Sequence, residues 1–272
     1  MGTGSAATCR SHACDCICLK MGYPNCEGKE RDTAIISPGD SLKYQKKHSY
    51  DRELTIPERV ILTYLPASVD YLLSLEDGRR THYITYGLSL LTDGTKGINL
   101  TGIGATTASM AMEELIALGS RKFINVGLAG SLQSNLQTGD IVVCDSAIRD
   151  EGVSHHYLEP GKLIRTSQLL TEQLKQALVL AKIDFSEGII WTIATPYRET
   201  TRELELYQKE GVLAVELETA ALAAVAQYRG VEFASVMVVS DLLASGFWVP
   251  KFHEDIVLQR LNSLHRIALS VL

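Results

Sequence analysis

The chain has 272 residues, of which 46% are hydrophobic and 21% are charged, and its formal net charge is -6. This length and composition permit one large core, so we expect a single α/β domain. The acidic balance argues against a protein that binds a nucleic-acid backbone, because such proteins carry basic patches, and it favours a small-molecule substrate. No apolar run reaches the roughly 20 residues that span a bilayer, so a cytoplasmic protein without membrane contact is expected.

The N-terminal region is rich in cysteine. Five of the six cysteines lie there, at Cys9, Cys14, Cys16, Cys18 and Cys26. Zinc-binding cysteine pairs are usually separated by two to four residues, whereas the run CDCIC leaves a single residue between neighbours, so no metal site is predicted. We interpret residues 1–34 as a disordered, cysteine-containing extension and residues 35–272 as one domain.

Apolar runs bounded by turn residues predict the first elements of that domain. A short helix is expected from Ser41, capped by Asp40 or Ser41. The fold proper begins near Pro57 with the strand ERVILTYL, and Pro66 opens the helix that follows. The next strand is HYITYGLSLL, which ends before a turn at residues 93–94.

Two glycine-rich turns follow buried strands. In INLTGIGATTASMAMEELIALG, a strand leads through Gly102 and Gly104 into a helix, and the free N–H groups at the start of that helix suit an anion or a ribose. A tight turn that lets the strand pack closely on the helix explains the same glycines equally well. The pattern recurs in KFINVGLAGSLQ, where the strand ends at Gly127 and Gly130. Both alternatives stay open for the first turn.

The middle of the chain continues the alternation of strands and helices. The segment IVVCDSAIRDEGVSHHYLEP is predicted to be a strand that leads into a polar loop. Its two adjacent histidines point in different directions on any regular backbone and are not expected to share a metal. A helix over residues 166–181, the strand GIIWTIAT, a loop at residues 196–199 and a charged helix come next. After an aromatic loop, a helix closes the chain from Phe252 to Leu272.

The run GVLAVELETAALAAVAQYRGVEFASVMVVSD predicts strand, helix and strand, with Gly230 ending the helix. Glu216 and Glu218 follow the first strand, and Asp241 follows the second. We expect two parallel strands whose carboxyl ends bring these acids to one edge of the sheet, beside the glycine turns, where α/β folds bind ligands. By residue type alone, the acids suit a magnesium or calcium site, an acid pair for glycoside cleavage, or anchors for a sugar and a base.

Five segments in sequence order resemble the nucleoside phosphorylase and nucleosidase superfamily. They are GIGATTASMAMEELIALG, INVGLAGSLQ followed by TGDIVV, RDEGVSHHY, VELETAALAAVA and VVSD. The resemblance, which runs from about Thr55 to the C-terminus, implies a three-layer α/β/α fold whose central mixed sheet curls into a distorted barrel. It also implies an enzyme that cleaves the N-glycosidic bond of a purine-type nucleoside, assembles as a dimer, trimer or hexamer of identical chains, and needs no cofactor, with phosphate possible as a co-substrate.

The resemblance also implies roles for particular residues. Glu218 would hold the ribose hydroxyls, Leu217 would pack under the sugar and Glu216 would support the site. Asp241 would protonate the departing base, which lowers the barrier because the base then leaves neutral. The further substrate contacts expected at the strand ends and turns are Thr101, Gly102, Gly104, Ala129, Gly130 and Ser240.

This sequence departs from the family at the residues that would bind the acceptor of the sugar. Where phosphorylases of the family hold phosphate with a Gly-Asp-Pro-x-Arg loop, an arginine and a serine or threonine, this chain has TYLPAS, Asn125 and Leu128. A phosphate dianion without arginine loses charge-assisted hydrogen bonds of about 1.5–3 kcal/mol each. The remaining candidates for anion binding are Thr106, Thr107 and Arg198. We therefore expect water to be favoured over phosphate, with a rearranged phosphorylase site or a non-catalytic nucleoside-binding protein as alternatives.

Overall fold

The computed structural model describes residues 28–48, 56–80, 87–91 and 94–272. The strands are β1 Arg59–Thr63, β2 Arg79–Arg80, β3 Gly87–Leu90, β4 Lys96–Leu100, β5 Lys122–Ser131, β6 Ile141–Asp150, β7 Leu163–Arg165, β8 Ser186–Ile193, β9 Ala214–Glu216, β10 Glu232–Leu242 and β11 Val249–Pro250. The α-helices are α1 Pro38–His48, α2 Pro66–Glu76, α3 Ala105–Leu118, α4 Gln168–Leu180, α5 Thr201–Lys209, α6 Thr219–Arg229 and α7 Asp255–Val271. The N-terminal cysteine cluster lies outside the described residues.

One sheet contains all of these strands, and part of it closes on itself. Strand β5 pairs with both β9 and β10, and the ring is completed through β6 and β8. Strands β1, β4, β3 and β2 extend from β5 as an open flank. Both parallel and antiparallel pairs occur, since β5 runs parallel to β10 while β6 runs antiparallel to it. The predicted mixed sheet that curls into a distorted barrel is therefore confirmed.

Helices cover both faces of the sheet. In β1, Val60 and Leu62 belong to one hydrophobic core while Ile61 belongs to another, as expected for a strand whose side chains alternate between two buried faces. Helices α3 and α6 pack together in the first core, and α2, α4 and α7 lie in the second. This arrangement confirms the predicted three-layer α/β/α organisation.

The predicted direction of the two acid-bearing strands is wrong. Strand β9 is antiparallel to β5 whereas β10 is parallel to it, so β9 and β10 run in opposite directions. The physical reason is the closure of the barrel: α6 links strands on the two edges of β5 instead of neighbours in an open sheet. Gly130 of β5 pairs with Val215 on one edge and with Asp241 on the other. Closure therefore still brings both acid-bearing strands to the same end of β5.

Helix α6 begins and ends as its sequence predicts. Its first residue is Thr219, and Gly230 ends it with a left-handed φ of 66° and an N–H that bonds the Ala226 and Gln227 carbonyls. Glycine adopts this conformation without the steric cost that other residues carry. Glu216 is the last residue of β9 and Glu218 lies at the N-cap of α6. The two glutamates therefore do not share a strand.

The predicted helix of the N-terminal segment starts earlier than expected. Helix α1 starts at Pro38, not at Ser41, because proline is well accommodated in the first turn of a helix. The Ser37 hydroxyl donates to the Asp40 carboxylate at 2.6 Å and accepts from the Asp40 N–H at 3.1 Å. Leu42 is buried in the core that contains α3 and α6. Across the described ranges, no helix combines the length and apolar character needed to cross a membrane.

Candidate active site

Two adjoining cavities lie at the end of the barrel where β5, β9 and β10 meet. The inner cavity has a volume of about 300 Å³ and is lined by Tyr64 and by residues 216–218, among others. The second, which we call the aromatic cavity, has a volume of about 470 Å³ and includes Asp241 in its wall. Phe252 contributes to both walls. The two cavities therefore adjoin at Phe252, and each has carboxyl groups in its wall.

Glu216 acts as a buried support beneath the inner cavity. Its carboxylate accepts hydrogen bonds from the N–H groups of Glu218 and Thr219, each at 2.8 Å, and from the Thr219 hydroxyl at 3.0 Å. The Thr192 hydroxyl of β8 donates to its other oxygen. Burial raises the pKa of Glu216, and these hydrogen bonds oppose that rise. The residue thereby caps α6 and fixes the backbone that carries Glu218.

Glu218 connects the first glycine turn to the inner cavity. Its Oε1 accepts a hydrogen bond from the N–H of Gly104 at 2.6 Å. Gly104 has a φ of 100°, which L-residues rarely adopt, so the turn requires glycine there. Burial, followed by the charge of Glu216, raises the pKa of Glu218 to about 8. A carboxyl group held in this way on the cavity wall is suited to binding sugar hydroxyls.

Close packing explains Gly102 of the glycine turn, whereas binding of an anion or a ribose by this turn stays a prediction. A Cβ on Gly102 would lie 3.0 Å from the Cβ of Thr107, so Gly102 allows the strand to pack closely on α3. Gly104 supplies the N–H that reaches Glu218. Thr101 is buried just before the turn, and its hydroxyl donates to the Gly102 carbonyl at 2.8 Å. The turn reaches the inner cavity through Ile103, which lines it, and through the Gly104 N–H that bonds Glu218.

A network of neutral side chains, which the sequence analysis missed, runs beside the inner cavity. The Tyr64 hydroxyl donates to Asn125 Oδ1 at 2.8 Å, and Asn125 Nδ2 donates to Ser235 Oγ at 3.1 Å. The Ser235 hydroxyl lies 2.9 Å from that of Thr219, which bonds Glu216. Burial and the two nearby glutamates raise the pKa of Tyr64 well above its usual value. In the sequence, Tyr64 is recognisable only as a tyrosine at the end of a buried strand, and nothing there indicates this network.

Asp241 is oriented by two donors at the aromatic cavity. Ser240 Oγ donates to its Oδ1 at 2.8 Å, and Trp248 Nε1 donates to its Oδ2 at 2.9 Å. Burial raises the pKa of Asp241, and both hydrogen bonds act in the opposite direction. A Cβ on Gly130 would lie 2.8 Å from Asp241 Oδ2, so only glycine lets the carboxyl group approach β5 this closely. Buried Ala129 precedes it, and its carbonyl lies 3.5 Å from Ser240 Oγ.

The segment after Asp241 is more regular than predicted. Strand β11 pairs antiparallel with β10, so that Pro250 lies opposite Asp241. The intervening residues turn back, with Gly246 at a φ of 81°. This short hairpin returns Trp248 to the Asp241 carboxyl group. The sequence indicated an irregular aromatic loop because glycine and proline interrupt its apolar pattern.

Glu199 is a second carboxyl group on the wall of the aromatic cavity. It directly follows the 3₁₀ helix Pro196–Arg198 and is half-buried. Burial, then the charges of Asp241 and Glu203, raise the pKa of Glu199 to about 7. No sequence signal separated this glutamate from the other charged residues of its segment.

The predicted anion-binding residues Thr106, Thr107 and Arg198 do not line the two cavities, so their role stays a prediction. The Thr107 hydroxyl donates to the carbonyls of Ile103 at 2.9 Å and Gly104 at 3.0 Å, which occupies it within its own turn. Thr106 is exposed on an outer cleft between α3 and the N-terminal segment. Arg198 is exposed. None of the three lies on the wall of the inner or the aromatic cavity.

The three predicted acids lie in the walls of two different cavities. Glu216 and Glu218 line the inner cavity, whereas Asp241 lines the aromatic one. Within the described part of the chain, no group of three or more His, Cys, Asp or Glu side chains is placed to hold a metal ion. The arrangement instead suits a ligand that needs polar contacts at two points, such as a sugar linked to a base.

Comparisons with known proteins agree with this architecture. The sequence model of the phosphorylase superfamily matches residues 62–272. The chain is 31% identical over 207 residues to a DeoD-type purine nucleoside phosphorylase of Caldanaerobacter subterraneus subsp. tengcongensis, covering 73% of this chain and 89% of the relative. It is 32% identical over 160 residues to a guanosine phosphorylase of Halorubrum lacusprofundi, covering 57% and 64%. A uridine phosphorylase structure from Vibrio fischeri aligns with a TM-score of 0.70 at 25% identity, covering 79% and 91%.

Proposed function

Because this chain belongs to the phosphorylase superfamily, as an enzyme of its nucleoside-cleaving branch, we propose that it breaks the N-glycosidic bond of a purine nucleoside with phosphate as the acceptor. The observation that carries the proposal is the pair of adjoining cavities. Glu218 lies at one and Asp241 at the other, with Phe252 in both walls. A ribose in the inner cavity places its base towards Asp241.

In the proposed reaction the two acids act at different stages. Glu218 binds the ribose hydroxyls, with Leu217 against the sugar and Glu216 as support. Asp241 donates a proton to the imidazole-side nitrogen of the base while the bond to C1′ breaks. A positioned general acid of this kind contributes about 10²–10⁴-fold to the rate. Pyrimidines lack an imidazole ring, so this role for Asp241 favours purines.

The names of the relatives support phosphate as the acceptor, since they are phosphorylases. The names of these relatives outweigh the expectation from sequence that water is favoured as the acceptor. Hydrolysis remains the second candidate, and one observation favours it: Tyr64 and Asn125, both neutral, bond each other beside the inner cavity. A phosphate ion bound there would depend on hydroxyl, amide and backbone donors, and we therefore expect weak phosphate binding.

Product analysis distinguishes the acceptors. Purified protein is incubated with inosine, guanosine or uridine, with and without millimolar phosphate, and the sugar product is identified. We expect free purine and ribose 1-phosphate, formed only when phosphate is present. Free ribose at the same rate in both conditions would replace phosphorolysis with hydrolysis, and faster cleavage of uridine would remove the purine assignment. No cleavage under any condition would favour a nucleoside-binding protein.

We also propose that the protein is a homo-oligomer. Phe247 and Trp248 are 77% and 62% exposed beside the aromatic cavity. Large exposed aromatic side chains are enriched where proteins associate. Light scattering at micromolar concentration is expected to give a mass of at least twice 29.8 kDa, and a monomer would contradict this proposal.

A further inference from the structure

The aromatic cavity has two carboxyl groups in its wall. Asp241 and Glu199 both line it, together with Trp191, Trp248 and Phe252. In the described part of the chain, no lysine, arginine or histidine contributes to its wall. Two carboxylates in a small site with mostly apolar walls cannot both ionise readily, because each charge raises the cost of the other.

The two carboxyl groups differ in their hydrogen bonds. Asp241 accepts one on each oxygen, from Ser240 and from Trp248. The side chain of Glu199 accepts none from the described part of the chain, and the charged groups that act on it are Asp241 of β10 and Glu203 of α5. Donors stabilise the ionised form of a carboxyl group, so Asp241 is better suited than Glu199 to carry the negative charge.

We propose that Glu199 and Asp241 form an acid pair that holds one proton between them at the base end of the site. Glu199 is then a positioning residue for catalysis: it holds the shared proton more readily at rest, and once the proton has moved to Asp241, the negative charge of Glu199 keeps it there for transfer to the base. This inference rests on the proposed function of Asp241. The pKa of about 7 for Glu199, raised by burial and then by Asp241, agrees with a pair that still shares a proton near neutral pH.

The proton balance of the reaction is complete without a further reagent. The bond between C1′ and the base nitrogen breaks, and its electron pair stays on the base. The proton of the pair moves through Asp241 to the imidazole-side nitrogen, and both carboxyl groups are then ionised. The oxygen of the acceptor bonds to C1′, and the proton that the acceptor loses returns to the pair through solvent. The same balance holds for phosphate and for water.

The first test is the pH dependence of kcat/KM in the Glu199→Gln variant. In the wild type, activity falls as pH rises past about 7, when the pair loses its last proton. Without the neighbouring charge, Asp241 loses its proton more easily, so we expect this alkaline fall to move down by about one to two pH units. The expected loss is therefore about 5- to 50-fold at pH 7 and about 2-fold or less at pH 5.

Two matched variants control this test. Glu199→Asp keeps the charge and is expected to keep a pH profile near that of the wild type. Glu205→Gln removes a charge from the exposed face of α5 and is expected to leave the profile unchanged. Superimposable profiles for Glu199→Gln and the wild type would overturn the proposal, as would an equal loss of activity at every pH.

A second measurement does not depend on activity. The side-chain carboxyl carbon of Asp241 is observed by NMR in ¹³C-aspartate-labelled protein and assigned with Asp241→Asn. We expect a two-step titration in the wild type and a single step at lower pH in Glu199→Gln. Identical titrations would refute the acid pair even if the enzyme is active. If the wild type cleaves no nucleoside but the two titrations differ, the proposed function fails and the acid pair stands.

Discussion

Asp241→Asn is expected to lower the rate of purine release by about 10²–10⁴-fold, the contribution of a positioned general acid. Asparagine keeps the shape of the side chain but has no proton to transfer. Ser240 and Trp248 still surround the group, so the fold and the affinity for nucleoside should change little. We therefore expect kcat to fall and KM to change little, because the interaction with Asp241 strengthens only in the transition state.

A substrate with a better leaving group is the matched control for this prediction. Nitrophenyl riboside releases a phenolate that is stable without protonation, so its cleavage does not require the proton of Asp241. We expect Asp241→Asn to retain most of the wild-type rate with this substrate while losing activity on inosine. Equal losses on both substrates would assign Asp241 to binding or structure instead of proton transfer.

The sequence predicts those parts of the fold that local rules control. Runs of buried apolar residues indicate strands covered on both faces, and Gly230 marks the end of α6 because a left-handed residue is needed there. Barrel closure has no such local signal. Whether β5 pairs along both edges depends on residues far apart in the chain, such as Gly130 between Val215 and Asp241. For this reason the direction of β10 relative to β9 was predicted wrongly.

The same difference between local sequence signals and long-range pairing applies to the residues of the site. Glu216, Glu218 and Asp241 could be selected from sequence because each follows a recognisable buried strand. Tyr64 follows β1, which pairs with β5 in the open flank, and Glu199 follows β8 of the closed ring. Both reach the site through pairing between distant segments, so their sequence surroundings carry no sign of it.

Residue chemistry alone does not determine where the anion-binding candidates point. Thr107 has the right hydroxyl group, but it bonds the carbonyls of its own turn, as threonine often does near a helix start. Arg198 has the right charge but is exposed and lies off the walls of both cavities. The type of a side chain therefore indicates what it can bind, while its direction depends on backbone geometry that sequence patterns describe poorly.

Glu218→Gln is expected to stabilise the protein while weakening its substrate binding. The pKa of Glu218 is raised to about 8, first by burial and then by Glu216, so the folded protein retains a proton that the unfolded chain releases above about pH 4.5. The stability of the wild type therefore falls as pH rises from about 4.5 to about 8, and glutamine removes this loss. We expect the free energy of unfolding of the variant to exceed that of the wild type by about 1–3 kcal/mol at pH 8.

Urea unfolding at pH 5 and pH 8 measures this effect, with the exposed Glu205→Gln as the control that should show no pH-dependent gain. The gain for Glu218→Gln should be small at pH 5 and largest at pH 8, because it follows the ionisation of one buried group. The KM for nucleoside should rise about 10-fold, since losing one hydrogen bond to the ribose costs about 1.4 kcal/mol, and kcat should change much less. A variant that is less stable at pH 8, or whose gain is the same at both pH values, would show that Glu218 is ionised in the folded protein and is held by its bond to Gly104.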